Sequence, residues 1–110
     1  MTTITKALIE SKDAPTSQTP QYTATNVKTI IDKFTGTNTT GAAITLSINL
    51  VPQGGSAGAT NLIVDTKTVQ PGQTYPFPEV IGHTLEDGDF ISVIASATGL
   101  TIRSSGREIS

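Results

Sequence analysis

Ala43-Ile44-Thr45-Leu46-Ser47-Ile48-Asn49-Leu50-Val51-Pro52 is the stretch on which the fold turns. Ile44, Leu46, Ile48 and Leu50 fall on one side of an extended chain, and Thr45, Ser47 and Asn49 fall on the other. That period of two predicts a strand with one buried and one wet face. Pro52, which has no N–H to give a ladder, marks its end.

The composition around this strand points the same way. Aromatic residues make up 5% of the 110 residues and Trp is absent, so the core must be aliphatic. Ile, Val and Thr recur throughout, and β-branched side chains lose rotamer freedom in helices while packing well on a pleated surface. The length suits one domain that buries roughly two-thirds of the surface exposed when unfolded. Zero Cys removes disulfides, thiolate zinc sites and a cysteine nucleophile. No apolar run reaches the ~20 residues of a membrane span or forms a secretory signal, so the expectation is a soluble chain made in the cytoplasm. The net charge is −2, with the few Lys and Arg scattered. A nucleic-acid partner calls for a basic face, so neither nucleic acid nor a membrane is expected as a partner.

Working outward, residues Thr2 to Ile9 alternate loosely enough for a marginal strand, and Asp13-Ala14-Pro15-Thr16-Ser17-Gln18-Thr19-Pro20 is polar and proline-bearing. Residues 1–20 are therefore expected as an extended N-terminal arm, either a frayed terminus or a segment that orders on a partner through Ile4, Leu8 and Ile9, and residues 21–110 as the single domain. Val27 to Thr35 is the next strand, its inward set either Ile30 with Phe34 or Val27 with Ile31. Gly36 to Gly41 is turn-like, and its Asn38-Thr39-Thr40 sequon is ascribed to turn chemistry. The glycine-rich stretch Pro52 to Thr60 is a loop without the ending of a phosphate-binding P-loop. Asn61 to Val69 is a strand, after which Pro71-Gly72 fits the centre of a type II turn. Tyr75-Pro76-Phe77-Pro78 cannot be a central strand, and its rings are expected to cap the core rather than grip a ligand. Glu79 to Leu85 is a connection holding His83, and Glu86-Asp87-Gly88-Asp89 is a tight acidic turn. The strand Phe90 to Ala97, with Ile91, Val93 and Ala95 inward, turns at Thr98-Gly99 into Leu100 to Arg103, and Ser104 to Ile109 closes the chain. Six to eight short strands and no helical stripe predict an all-β antiparallel sandwich, jelly-roll-like, with the extended N-terminal arm.

Candidate chemistry is sparse. A serine hydrolase needs an imidazole base, and His83 is the single histidine, with no Gly-x-Ser-x-Gly elbow beside it. Glu79, Glu86, Asp87 and Asp89 are close enough in sequence to suggest a carboxylate pair or calcium, but the glycine among them suits an ordinary turn and the EF-hand spacing is missing. The expectation is a protein that is not an enzyme and takes no cofactor and no metal.

From Ile31 onward several stretches stand out together: Ile31-Asp32-Lys33-Phe34-Thr35 with Asn38, Ile48-Asn49-Leu50-Val51-Pro52 leading into Gly54-Gly55, Gly82-His83-Thr84-Leu85 with Gly88-Asp89-Phe90-Ile91-Ser92, and Ser105-Gly106-Arg107-Glu108-Ile109. In these the chain resembles the capsid decoration proteins, also called cement or staple proteins, of short-tailed bacteriophages. The resemblance covers about the last four-fifths of the chain. It implies a virion protein on the outer capsid surface that bridges neighbouring major capsid subunits against the pressure of packaged DNA. The major capsid protein is then the expected partner, with self-association as a homodimer, the commonest symmetric pair. Ile4, Leu8, Ile9, Pro15, Pro20, Tyr22, Tyr75 and Phe77 are the candidate contact residues. An alternative role is a carbohydrate-binding or adaptor module of a phage tail or fibre, motivated by Tyr75, Phe77 and the acidic turn.

Overall fold

In the computed structural model, which describes residues 1–110, the Ala43–Pro52 stretch is a strand at the centre of one of two antiparallel sheets. In chain order the strands are β1 (Thr3–Asp13), β2 (Thr19–Thr23), β3 (Lys28–Asn38), β4 (Ile44–Val51), β5 (Leu62–Val69), β6 (Thr74–Tyr75), β7 (Thr84–Leu85), β8 (Phe90–Ala95) and β9 (Leu100–Ile109). The first sheet runs β1-β9-β3-β6, with β7 also on β3, and the second runs β2-β8-β4-β5. The chain crosses between sheets at β1–β2, β2–β3, β3–β4, β5–β6, β7–β8 and β8–β9. The protein is an all-β sandwich with the double Greek-key order of a jelly roll.

The core lies between the inner faces. Ile44, Leu46 and Ile48 of β4 and Ile91 and Val93 of β8 meet Ile31 and Phe34 of β3 and Leu100 and Ile102 of β9, all 1% exposed or less. Full burial of each such side chain is favourable by roughly 1.5–3 kcal/mol before the entropy of folding is subtracted. Phe77 fills the sandwich edge with its ring 5.4 Å from that of Phe34, edge to face, as expected of a capping ring.

Several expectations require correction. Residues 1–20 are not a separate arm. Thr3–Asp13 pairs with β9 along its length, and Leu8 and Ile9 are 6% and 2% exposed. The supposed boundary after Pro20 falls inside β2, and Ala14 and Pro15 tie the β1–β2 link inward through Ala14 N–H to Leu100 O (2.8 Å) and Ala95 N–H to Pro15 O (2.8 Å). The long partner β9 explains this: the whole of Leu100–Ile109 is one strand, and a ten-residue strand between β3 and empty space would leave a row of backbone groups unpaired.

In β3 the inward residues are Ile31 and Phe34, which neither expected register pairs. A bulge at Asp32, between the Ile31 and Lys33 pairings with β9, brings residues three apart onto one face. β3 also runs on through Gly36-Thr37-Asn38, which was expected as turn. Asn38 is wholly buried there: its amide donates to Ala42 O and Val69 O, and its Oδ1 accepts from the Thr40 N–H and hydroxyl. All four of its hydrogen-bonding positions are thereby used inside the fold.

Two glycines carry strict demands. At Gly106 an added Cβ would lie 2.2 Å from Ile30 O, so β9 and β3 approach there only because no side chain intervenes. Gly72 has φ of 74° and the Gln73 N–H bonds Gln70 O at 3.0 Å, which closes the expected type II turn.

Candidate functional surface

The eight candidate contact residues do not form one patch. Leu8, Ile9 and Phe77 are buried in the core, which removes them from any surface contact. Pro15, Tyr22 and Tyr75 are half-buried, while Ile4 and Pro20 are exposed, Ile4 to 55%. The apolar character of Ile4, Leu8 and Ile9 suggests anchors for a partner; the β1–β9 ladder instead turns two of the three inward.

The N-terminal half of β1 is the longest regular free edge. Thr2 and Ser110 exchange both backbone bonds (3.1 and 2.9 Å), and the register runs unbroken from Thr3 opposite Ile109 to Ala7 opposite Ser105. In an antiparallel ladder the bonded residues alternate, so Ile4 and Lys6 bond β9, and Thr3, Thr5 and Ala7 turn their N–H and C=O groups to solvent. Beyond Ala7 two bulges interrupt the strand, which blunts that part of the edge. Ile4 stands opposite Glu108 in register. Glu108 accepts from the Tyr22 hydroxyl and lies 3.5 Å from Lys6 Nζ, and Tyr22 also bonds the Thr29 hydroxyl at 2.8 Å. Burial, reinforced by the bond to Glu108, pushes the Tyr22 phenol up to about 12. Tyr22 therefore ties β2 of the second sheet to β3 and β9 of the first.

Tyr75 and Phe77 do come together, with ring centroids 4.8 Å apart and nearly perpendicular. The arrangement is not an open stacking platform. Lys67 Nζ sits 4.6 Å from the centre of the Tyr75 ring, and the Tyr75 hydroxyl donates to Glu79 at 2.8 Å, a bond that raises its pKa.

His83 is exposed and lines a notch of about 340 Å³ beside Leu50, Ile63 and Asp89. Its imidazole makes no hydrogen bond. The two Asp89 oxygens accept from Gln53 N–H (3.0 Å) and Glu86 N–H (2.9 Å), so this carboxylate organises the acidic turn. Asp87 likewise accepts from Asn26 N–H at 2.8 Å. No group of three or more His, Asp or Glu side chains is arranged to hold a metal ion, and no helix is long and apolar enough to cross a membrane.

One feature escaped sequence reasoning. Ser47 and Asn49 point outward from β4 as the alternation requires, yet they are 9% and 3% exposed rather than wet. The 52–61 loop returns over the sheet, where Asn49 Nδ2 donates to Gly58 O (3.0 Å) and Asn61 Oδ1 (2.7 Å), and the result is a polar hollow beside β5. The glycine content of the loop was the available signal, because a flexible segment of that length can double back.

No protein-family model matches the sequence, and no curated protein matches it. Among solved structures the chain is similar to one described as the structure of infectious bursal disease virus Gx strain, at 11% identity and a TM-score of 0.45. That similarity covers 97% of this chain, which spans 30% of the length of the other.

Proposed function

We propose that the chain is a non-catalytic structural protein of a virion that binds the outside of a phage capsid and staples neighbouring major capsid subunits. The sequence stretches that resemble decoration proteins support this reading, and the free edge of Thr3–Ala7 is the observation that gives it a contact element. An extended segment of a capsid subunit, or of a second copy, adds to that edge through the outward N–H and C=O groups of Thr3, Thr5 and Ala7. Ile4 supplies an apolar contact beside it. Each contact is small, and repetition around a symmetric shell converts small contacts into a strong restraint.

The test is sedimentation of the purified protein alone and mixed with assembled capsids of the phage that encodes it. Cosedimentation that saturates at a ratio tied to capsid symmetry is expected. Thr5→Pro removes one outward N–H without breaking a bond to β9, so this variant should fold and bind capsids at least tenfold more weakly. Failure of the wild-type protein to bind any assembled shell overturns the reading, and wild-type binding by Thr5→Pro moves the contact away from β1.

A further inference from the structure

The outward face of the second sheet holds a trough that the capsid reading does not use. Two hollows, of about 220 and 190 Å³, share Ser47 and Ile94 as common walls. Each is smaller than the roughly 300–1,000 Å³ of pockets that take drug-sized ligands, so each suits a single small ring. The first is bounded by Gln18, Asn49 and Asp65, and the second continues past Thr66 and Ser96.

Both hollows are open to solvent and lined mostly by apolar surface, with a few polar groups whose hydrogen-bonding capacity is not fully used within the protein. Asn49 spends its amide protons on the 52–61 loop, but its Oδ1 accepts from no protein group. Ser47 Oγ accepts the Thr66 N–H at 2.8 Å, while its own hydroxyl proton goes to no protein acceptor. Ser47 and Asn49 are 9% and 3% exposed, so a spare donor and a spare acceptor stand two residues apart on the same face of β4. A ligand that replaces water at this face can complete the bonding of both groups. Thr66, a β-branched residue, is held at φ of 44° with that N–H turned to Ser47. On the rim the Asp65 carboxylate accepts only from the Thr66 hydroxyl, and Gln18 has used one amide proton on Ser92.

The chemistry of the occupant follows. The lining carries no cationic side chain, which disfavours an anion, and its bonding groups are neutral apart from Asp65. A ligand must both donate and accept over a short distance, as adjacent hydroxyls on one ring do. It must also lay a non-polar surface on Ile94, as the C–H face of a pyranose does. We propose that this trough binds neutral carbohydrate, one ring in each hollow, with Ser47, Asn49 and Asp65 as the hydrogen-bonding set and Ile94 as the floor. The site is separate from the β1 edge, and it stands whether or not the protein binds capsids.

The experiment is a glycan array of bacterial and host saccharides, followed by amide NMR titration of the whole protein with the methyl glycosides of the neutral sugars that respond. Saturable shifts should centre on Gln18, Ser47, Asn49, Asp65 and Ile94. Ile94→Arg, which fills the trough, should weaken binding at least tenfold with its spectrum otherwise native, while Tyr75→Ala should leave affinity unchanged. A silent array, shifts centred elsewhere, or undiminished binding by Ile94→Arg overturns the proposal. Loss of capsid cosedimentation by Ile94→Arg without any sugar response also overturns it, because the occupant is then protein.

Discussion

The outward faces of the two sheets obey the same alternation and end in opposite environments. On the first sheet, Arg107 forks onto Asp32 with two contacts of 2.9 Å, and Arg103 lies 3.5 Å from Glu10, all in water or close to it. On the second sheet the outward residues Ser47, Asn49 and Ser92 are small, neutral and buried. Alternation decides which side of a strand a residue occupies; what lies over that side decides whether it is wet. Charged side chains suit the first face because an exposed ion is well solvated. They would be costly on the second, where the loop and the β1–β2 link exclude water.

The contrast can be broken most severely at Asn49. Asn49→Ala removes the two bonds that tie β4 to Gly58 O and Asn61 Oδ1, each of which keeps one bond within the loop, at a cost of about 1–3 kcal/mol for the pair. Urea unfolding should show that loss, and proteolysis should cut the 52–61 loop faster; an unchanged midpoint and cleavage rate would mean that the loop does not depend on β4.

Tyr22 sharpens the comparison, because its hydroxyl joins the two sheets. A phenol raised to about 12 in the folded chain, against an ordinary value near 10, means that folding favours the protonated form. Its contribution is fully present below pH 10 and is lost as the pH rises from about 10 through 12. Tyr22→Phe should cost about 1 kcal/mol at neutral pH and flatten the decline in this alkaline window. A stability profile that keeps the same slope in the variant would assign the decline to other groups.

The smallest effect is expected on the charged face. Arg107→Ala removes the forked pair, but both partners are more than two-fifths exposed, so the loss should stay below about 1 kcal/mol and shrink further in salt. Thermal unfolding at low and high ionic strength checks it. A larger, salt-independent loss would show that the Arg107 stem packs against the sheet and that the first face is less wet than its charges suggest.

Much of the framework was legible in the residues. β4 and β8 follow from their alternation, with Ile91, Val93 and Ala95 inward as expected, and the turns at Pro71-Gly72 and Gly88 follow from backbone chemistry that acts within a few residues. The glycine-rich loop was legible as loop. Of the candidate contact set, Ile4 and Pro20 lie on the surface, while Leu8, Ile9 and Phe77 lie inside the fold, Phe77 as the capping ring that its proline-locked segment suggests.

What only the tertiary structure decided came from partners distant in sequence. Thr3–Asp13 is a strand because β9, almost a hundred residues later, offers it a ladder, and locally only the loose alternation of Thr2 to Ile9 distinguishes that state from an arm. The bulge at Asp32 sets the inward face of β3 by matching β9, where Gly106 admits the close approach of Ile30. Ser47 and Asn49 carry the polar alternation of a wet face, yet little of either is exposed, because the 52–61 loop bonds Asn49 and the Thr66 N–H bonds Ser47. Periodicity and turn chemistry are properties of neighbouring residues and can be read along the chain. Pairing, register and burial depend on which surfaces meet, and that is settled only when the two sheets close on one another.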